Sequence, residues 1–342
     1  MDGAAIEGGR RTVVQPQAQE PDLLDWLAGL GARRGSAVVV KFGGNAMVDE
    51  ELKASFARSV VLLRYAGLRP VVVHGGGPQI DAHLRRLGLS APFAGGLRVT
   101  TPEVMGEVRM VLAGRVQREL VNLVNVHGPF AVGLTGEDAG TLRAVKRRCL
   151  VGGEPVDLGR VGEVAEVRTG LLRALLADGR IPVLSSVAVG DDGAVYNVNA
   201  DTAAAAVAGA LGARTLLMLT DVPGLYRSWP PGGGADGEVI GELPAAELAA
   251  LLPGLAGGMV PKMTACLAAL RAGVGEVRVL DGREPDAVLR AFGADAPGTR
   301  VVADPVLRGA GGPLSGGRGQ KPWPGRGLNL TQPPVVRQVR QA

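Results

Sequence analysis

Two lysines, two glycine-rich turns and one aspartate are the residues of this chain best suited to chemistry. Lys41 heads the run Lys41–Asn45 (KFGGN) at the end of a strand-like stretch, where Gly43 and Gly44 let backbone N–H groups approach an anion. His74–Pro78 (HGGGP) repeats the arrangement after a second apolar stretch. There Pro78 opens a helix, so Gly76 and Gly77 lead into unpaired N–H groups and a helix dipole that favour phosphate. No GxxxxGK[ST] occurs, and Ile80 stands where GxGxxG needs its last glycine, which argues against a Walker loop and against a dehydrogenase. Arg98, after Gly95 and Gly96, could grip a carboxylate with two parallel hydrogen bonds. Asn197 and Asn199, spaced by two on an extended segment, face one side and could hold an amide or carboxylate. Asp201 follows as an N-cap for an alanine-rich helix, and Lys262 comes after the pair Gly257–Gly258, ahead of a helical stretch over Met263–Ala272. Taken singly, each has a plain structural explanation: a glycine turn, a solvated arginine, a helix cap, a surface lysine. Taken together, they form the set that in-line phosphoryl transfer requires, since catalysis there is mainly positioning and charge neutralisation.

The elements that must hold these residues follow a βαβα grammar. Apolar runs over Ala37–Lys41 and Val71–Val73 read as strands, with a helix over Glu51–Tyr65 between them. A long helix is predicted over Pro102–Asn125, with Thr101 as N-cap and Pro102 in the first turn. Further short buried strands are predicted at Ala131–Leu134, Ile181–Leu184, Thr215–Leu219 and Val277–Leu280, the kind a parallel sheet covered by helices demands. Between them, Val145–Val167 mixes β-favouring residues with glycines and reads as hairpins projecting from the sheet. Leu23, Leu24, Trp26, Leu27 and Leu30 lie at helical spacing, giving a short amphipathic helix at Asp22–Leu30 behind a flexible arm.

Composition narrows the class. At 342 residues and 46% hydrophobic content the chain can bury a full core. The longest nearly apolar run, Ala203–Ala213, falls well short of the ~18 residues that span a bilayer, and the first twenty residues lack an apolar signal region. No membrane span and a cytoplasmic location are expected. Cys149 and Cys266 form no CxxC pair and only three histidines occur, so neither a zinc site nor thiol chemistry is expected. The net charge of +4 belongs to the end of the chain: residues 306–342 hold six basic residues and no acid, which leaves 31 basic and 33 acidic residues before them. That near-neutral body, with 3% aromatic residues, argues against nucleic-acid binding as the main role. The Gly/Pro/Arg-rich tail itself is expected to be disordered.

These segments, in this order, resemble the acetylglutamate kinases of the amino-acid kinase family. The resemblance rests on Val38–Met47 (VVVKFGGNAM), Val73–Pro78 (VHGGGP), Gly96–Thr100 (GLRVT), Asn197–Asp201 (NVNAD) and Gly257–Lys262 (GGMVPK). It extends through Glu119–Val124, Val132–Gly136, Asp157–Glu163 and Thr220–Tyr226, and covers Ala37 to Asp304. It implies an α/β fold, a three-layer αβα sandwich with an open, mostly parallel central sheet. It also implies an arm and short helix over 1–36 and a kinase domain over 37–305, with acetylglutamate in the N-terminal half and ATP in the C-terminal half. The implied reaction is phosphorylation of the side-chain carboxylate of N-acetyl-L-glutamate, the second step of arginine biosynthesis. By the same resemblance Lys41 and Lys262 stabilise the transferred phosphoryl group and Asp201 orients them. Gly44 and Gly76 donate N–H groups to phosphate, and Gly76, Gly77, Arg98 and Asn197 hold the substrate. Asp221, Gly224 and Tyr226 lie beside the nucleotide, and Mg²⁺ enters with ATP, held mainly by phosphate oxygens and water. A homo-oligomer, dimer or hexamer, is implied too, and some family members dock a nitrogen-signalling protein. Asp286 stands where arginine-inhibited members carry a histidine, which argues against inhibition by arginine. The alternatives are a kinase for a related acylated or carrier-linked amino acid and a non-catalytic regulatory paralogue.

Overall fold

Valine-rich runs with no polar face can be buried on both sides, and here they build the centre of a sheet. In the computed structural model, which describes residues 23–151, 154–227, 237–255 and 257–304, β1 (Ala37–Phe42) and β2 (Arg69–His74) pair in parallel from Ala37↔Arg69 to Phe42↔His74. Two short strands, β3 (Phe93–Ala94) and β4 (Leu97–Arg98), make a hairpin, and β5 (Ala131–Thr135) returns to the main sheet. A separate four-stranded closed sheet contains β6 (Leu142–Lys146) and β9 (Val161–Val167), which flank the hairpin β7 (Cys149–Val151) and β8 (Glu154–Val156). After β10 (Ile181–Ser185) in the main sheet, β11 (Val187–Gly190) and β12 (Val195–Val198) complete that smaller closed sheet. With β13 (Thr215–Thr220), β14 (Glu242–Pro244), β15 (Glu276–Asp281) and β16 (Thr299–Val302), the main sheet has eight strands in the order β14-β16-β15-β13-β1-β2-β10-β5. Every pairing in it is parallel except β15 with β16.

Helices cover both faces. The helices are α1 (Leu23–Gly31), α2 (Glu50–Tyr65), α3 (Gly77–Arg86), α4 (Pro102–Arg109), α5 (Gln117–Asn125), α6 (Gly170–Ala177), α7 (Ala200–Leu211), α8 (Ala245–Leu251), α9 (Met259–Arg271) and α10 (Ala287–Arg290). Side-chain alternation sorts the core. Val38, Val40 and Phe42 face the layer of α2, α4 and α5, whereas Val39 shares a cluster with Ala203 and Ala204 of α7 and Met263 and Cys266 of α9. Lys41 alternates with Phe42, so the strand aims it at α7 and α9. The Phe42 ring stacks on Phe56 of α2 at 3.9 Å between centroids, which fixes the end of β1 from the other side.

Caps account for several boundaries. Asp49 accepts from the Leu52 N–H at 2.9 Å to start α2, and Thr101 accepts from Val104 N–H at 3.2 Å to start α4, as predicted. Ahead of α7 the capping side chain is Asn199, which accepts from the N–H groups of Asp201 and Thr202 at 2.9 and 3.1 Å. That corrects the expectation for Asp201: it sits inside the first turn, and its carboxylate is left for other work. Lys262 likewise lies in the first turn of α9, which begins at Met259 rather than after the lysine. The predicted helix over Pro102–Asn125 is continuous in space but changes pitch, since Met110–Val116 between α4 and α5 is a π-helix. The Val145–Val167 segment holds one free-standing hairpin, β7–β8, while β9 belongs to the smaller closed sheet. The predicted arm over residues 1–20 and the predicted disordered tail over 306–342 lie outside the described residues. Among the described residues no helix is long and apolar enough to cross a membrane.

Candidate active site

Parallel strands deliver all their carboxyl ends to one edge, and the segments that follow β1 and β2 meet there. Gly75 N–H donates to the carbonyl of Phe42 at 3.2 Å, tying one glycine turn to the other. A second tie runs from Gln79 of α3, whose Nε2 donates at 2.8 Å to the carbonyl of Met47, beyond the first turn. Gly44 has φ +76, a left-handed backbone, and a Cβ there would stand 2.7 Å from Oδ1 of Asp221, which places Asp221 against this turn. At Gly76 the obstacle is packing: a Cβ would stand 2.8 Å from Leu112 and 3.1 Å from Val116, both on the π-helix.

Lys41, Asp201 and Lys262 come together from three elements. Lys41 Nζ lies 2.9 Å from Asp201 Oδ1, and Lys262 Nζ lies 3.2 Å from Oδ2, with all three side chains largely buried. Burial works to raise the Asp201 carboxyl, but the charges of Lys41 and then Lys262 outweigh it and hold the group below the ordinary carboxylate range. Burial pushes Lys41 below the ordinary lysine value, partly offset by Asp201 and reinforced by Lys262. Two ammonium groups against one carboxylate leave the cluster one positive charge in excess when all are ionised, a surplus that an entering phosphate would neutralise. Behind it, burial and the neighbouring Asp201 push the Cys266 thiol up to about 12, which keeps it protonated and inert.

The cluster opens onto a cavity of about 280 Å³ whose walls include both glycine turns, Arg98, Asn197, Asn199 and Asp201. Gly43, Gly44, Gly76 and Gly77 therefore reach one space. Asn197 points in from β12 and donates to Thr100 Oγ1 at 3.3 Å, whereas Asn199 is engaged as the cap described above. Arg98 is buried at the open end of the β3–β4 hairpin, opposite Phe93, where its guanidinium lies 4.6 Å from the Phe93 ring centre and donates from Nη1 to Asp81 at 2.5 Å. Ile80, Phe93, Leu112, Val161 and Ser186 also line the cavity, and sequence reasoning did not single them out. Phe93 and Val161 look like ordinary strand residues, and Leu112 arrives through a π-helix that no periodicity announces.

Asp221, Gly224 and Tyr226 are not among the cavity's lining residues. They follow β13: Leu225 N–H donates to Thr299 Oγ1 at 2.8 Å, and Tyr226 pairs with Val239 in an isolated antiparallel bridge. The cavity thus lies over the ends of β1 and β2, with Lys41 and Asp201 in its wall, and Lys262 joins them through Asp201. Among the described residues no group of three or more His, Cys, Asp or Glu side chains could hold a metal ion.

Known proteins are similar to this chain in sequence and in fold. A sequence model of the amino acid kinase family matches residues 36–281. An acetylglutamate kinase from Streptomyces avermitilis is 59% identical over 297 residues, covering 86% of this chain and 96% of that one. An acetylglutamate kinase from Acidothermus cellulolyticus is 57% identical over 297 residues, covering 85% and 99%. Among solved structures, an N-acetylglutamate synthase from Neisseria gonorrhoeae, complexed with coenzyme A and N-acetyl-glutamate, superposes with a TM-score of 0.72 at 24% identity. That match covers 82% of this chain but only 62% of the synthase, so it speaks for the fold alone.

Proposed function

The chain belongs to the amino acid kinase family, and from that premise we propose that it transfers the γ-phosphoryl group of ATP to the side-chain carboxylate of N-acetyl-L-glutamate. The observation that carries this reading is the pair of lysines held on one buried carboxylate beside two glycine turns. A carboxylate with intrinsic pKa about 4.3 is already ionised at neutral pH, so it attacks the γ-phosphorus without a general base. Its oxygen forms the new O–P bond as the bond to the β,γ-bridging oxygen breaks, and ADP leaves with the released negative charge. Lys41 and Lys262 stabilise the equatorial oxygens in flight, Asp201 holds both lysines in place, and N–H groups of Gly44 and Gly76 donate to phosphate oxygens.

The substrate carries a second carboxylate, and once the first is at the lysines the remaining one falls to the buried Arg98, with Asn197 and Gly77 alongside. Asp221, Gly224 and Tyr226, which follow β13, flank the nucleotide. Mg²⁺ would come in with ATP, held mainly by phosphate oxygens and water, since the Asp201 carboxylate is engaged by both lysines. The setting is a cytoplasmic arginine-synthesis enzyme. Leu24 and Leu27 of α1 are 74% and 49% exposed, an apolar face that supports a homo-oligomer, dimer or hexamer. A single-chain mass by light scattering at micromolar concentration would overturn that part.

The test is ADP release with Mg-ATP and N-acetyl-L-glutamate beside free glutamate, N-acetylaspartate and N-acetyl-aminoadipate, with hydroxylamine trapping the acyl phosphate. Hydroxamate from acetylglutamate alone is expected. Silence with all four from folded protein would sink the reading.

A further inference from the structure

Arg98 is a long side chain on a two-strand hairpin, and such a group loses much rotamer entropy when it must present one fixed edge to a ligand. In this molecule two contacts remove that freedom in advance. Phe93, its cross-strand partner in the hairpin, covers one face of the guanidinium, and Asp81 of α3 takes a hydrogen bond from Nη1. The Arg98 side chain is 6% exposed, whereas that of Asp81 is 45% exposed. The arginine therefore belongs to the cavity wall, and the aspartate reaches it from outside.

We propose that Asp81 is a positioning residue: it fixes the plane of the Arg98 guanidinium so that the rest of its N–H fork faces the non-reacting carboxylate of the substrate. The inference rests on the acetylglutamate reading given above and deepens it. Two effects of Asp81 oppose each other. Its negative charge beside Arg98 weakens the attraction for a second carboxylate, while its anchoring of Nη1 sets the geometry that two parallel hydrogen bonds demand. Because Asp81 is nearly half exposed, water and salt screen its charge, whereas a buried guanidinium without this anchor keeps only the Phe93 ring against its face and is free to turn in its own plane. Anchoring outweighs repulsion. The placement on α3 also matters, since that helix begins at the second glycine turn: the glycines that reach the cavity and the residue that sets Arg98 belong to one element.

The experiment compares wild type with Asp81→Asn and Asp81→Glu, using N-acetyl-L-glutamate and its α-carboxamide. The carboxamide keeps the reacting carboxylate but offers Arg98 a single neutral acceptor. For Asp81→Asn the KM for acetylglutamate is expected to rise roughly 10-fold, with kcat within about 2-fold and the KM for ATP unchanged. The preference of wild type for the acid over the amide should shrink by a similar factor, and Asp81→Glu should restore part of it. Thermal melting of each variant separates this from loss of fold, which would lower kcat on both substrates together. An unchanged or lower KM in a folded Asp81→Asn protein, or an equal rise for acid and amide, would overturn the inference. Wild-type protein that turns over neither substrate would instead overturn the substrate assignment on which the inference stands.

Discussion

The two glycine turns share a sheet edge and are tied by a hydrogen bond, yet the strands that carry them end on opposite electrostatics. The turn after β1 begins at Lys41, which points toward α7 and α9 and meets a carboxylate and a second lysine there. The turn after β2 begins at His74, the register partner of Phe42, which is fully buried and which burial pushes down to about 4. Its Nδ1 lies 2.9 Å from the carbonyl of Gly75, a weaker influence in the other direction. One turn is built around mobile-group charge and the other around a neutral ring and backbone dipoles. The first suits a group whose charge is redistributed during reaction, the second a phosphate or carboxylate that only has to be held.

The harshest way to break the charged turn is Asp201→Ala. It leaves two buried ammonium groups facing each other, so turnover should fall by at least about 10³ and stability by about 3–5 kcal/mol. Steady-state kinetics and urea titration check both; normal turnover would remove the orienting role. Next in size are Lys41→Ala and Lys262→Ala, each expected to lower kcat by roughly 10²–10³ with little change in the KM for acetylglutamate. Near-normal rates in both would take the lysines out of the chemistry.

The smallest effect sharpens the other side. His74 is neutral in the fold down to about pH 4 but titrates near 6.5 when unfolded, so its stability contribution is present above pH 6.5 and lost as pH falls toward 4. The total is about 3 kcal/mol for the full shift. Glu276, held down to about 2 by Arg300 and Arg33 against the opposing effect of burial, gives up its share only below its ordinary 4.5, which leaves the interval above to His74. Urea midpoints between pH 7 and 4.5 should therefore decline in wild type and stay flatter in His74→Gln; parallel curves would contradict the assignment.

What could be read without coordinates was whatever has a short period or a local cap. β1, β2, β5, β10 and β13 are short, mainly apolar runs, β15 is one interrupted by Arg278, and Thr101 announces its helix by residue type alone. Lys41, Asp201 and Lys262 were legible as candidates, but that they meet depends on pairings across 160 and 61 positions, which no local pattern encodes. The choice between Asn199 and Asp201 as cap shows the limit well: both types cap helices, and only the ion pairs reserve Asp201 for the lysines. β11 was missed, and β12 was read only as an extended segment around Asn197, because a four-residue strand closing a small sheet has too few alternations to stand out. Asp81 gave no signal, since an aspartate on an exposed helix face is ordinary until Arg98 is placed beside it.

The π-helix between α4 and α5 has a consequence of its own. A stretch that closes its hydrogen bonds one residue further along holds a spare residue compared with a regular helix, and each residue of an α-helix turns the chain by about 100°. Deleting one of the three positions between Leu112 and Val116 would return the run to an even α-helical pitch and change the angle between those two side chains. Leu112 and Val116 would then no longer both press on the Gly76 turn. This wall of the cavity is thus tuned by the count of residues as much as by their kinds, and a one-codon loss could redraw the pocket while leaving every named side chain in the sequence.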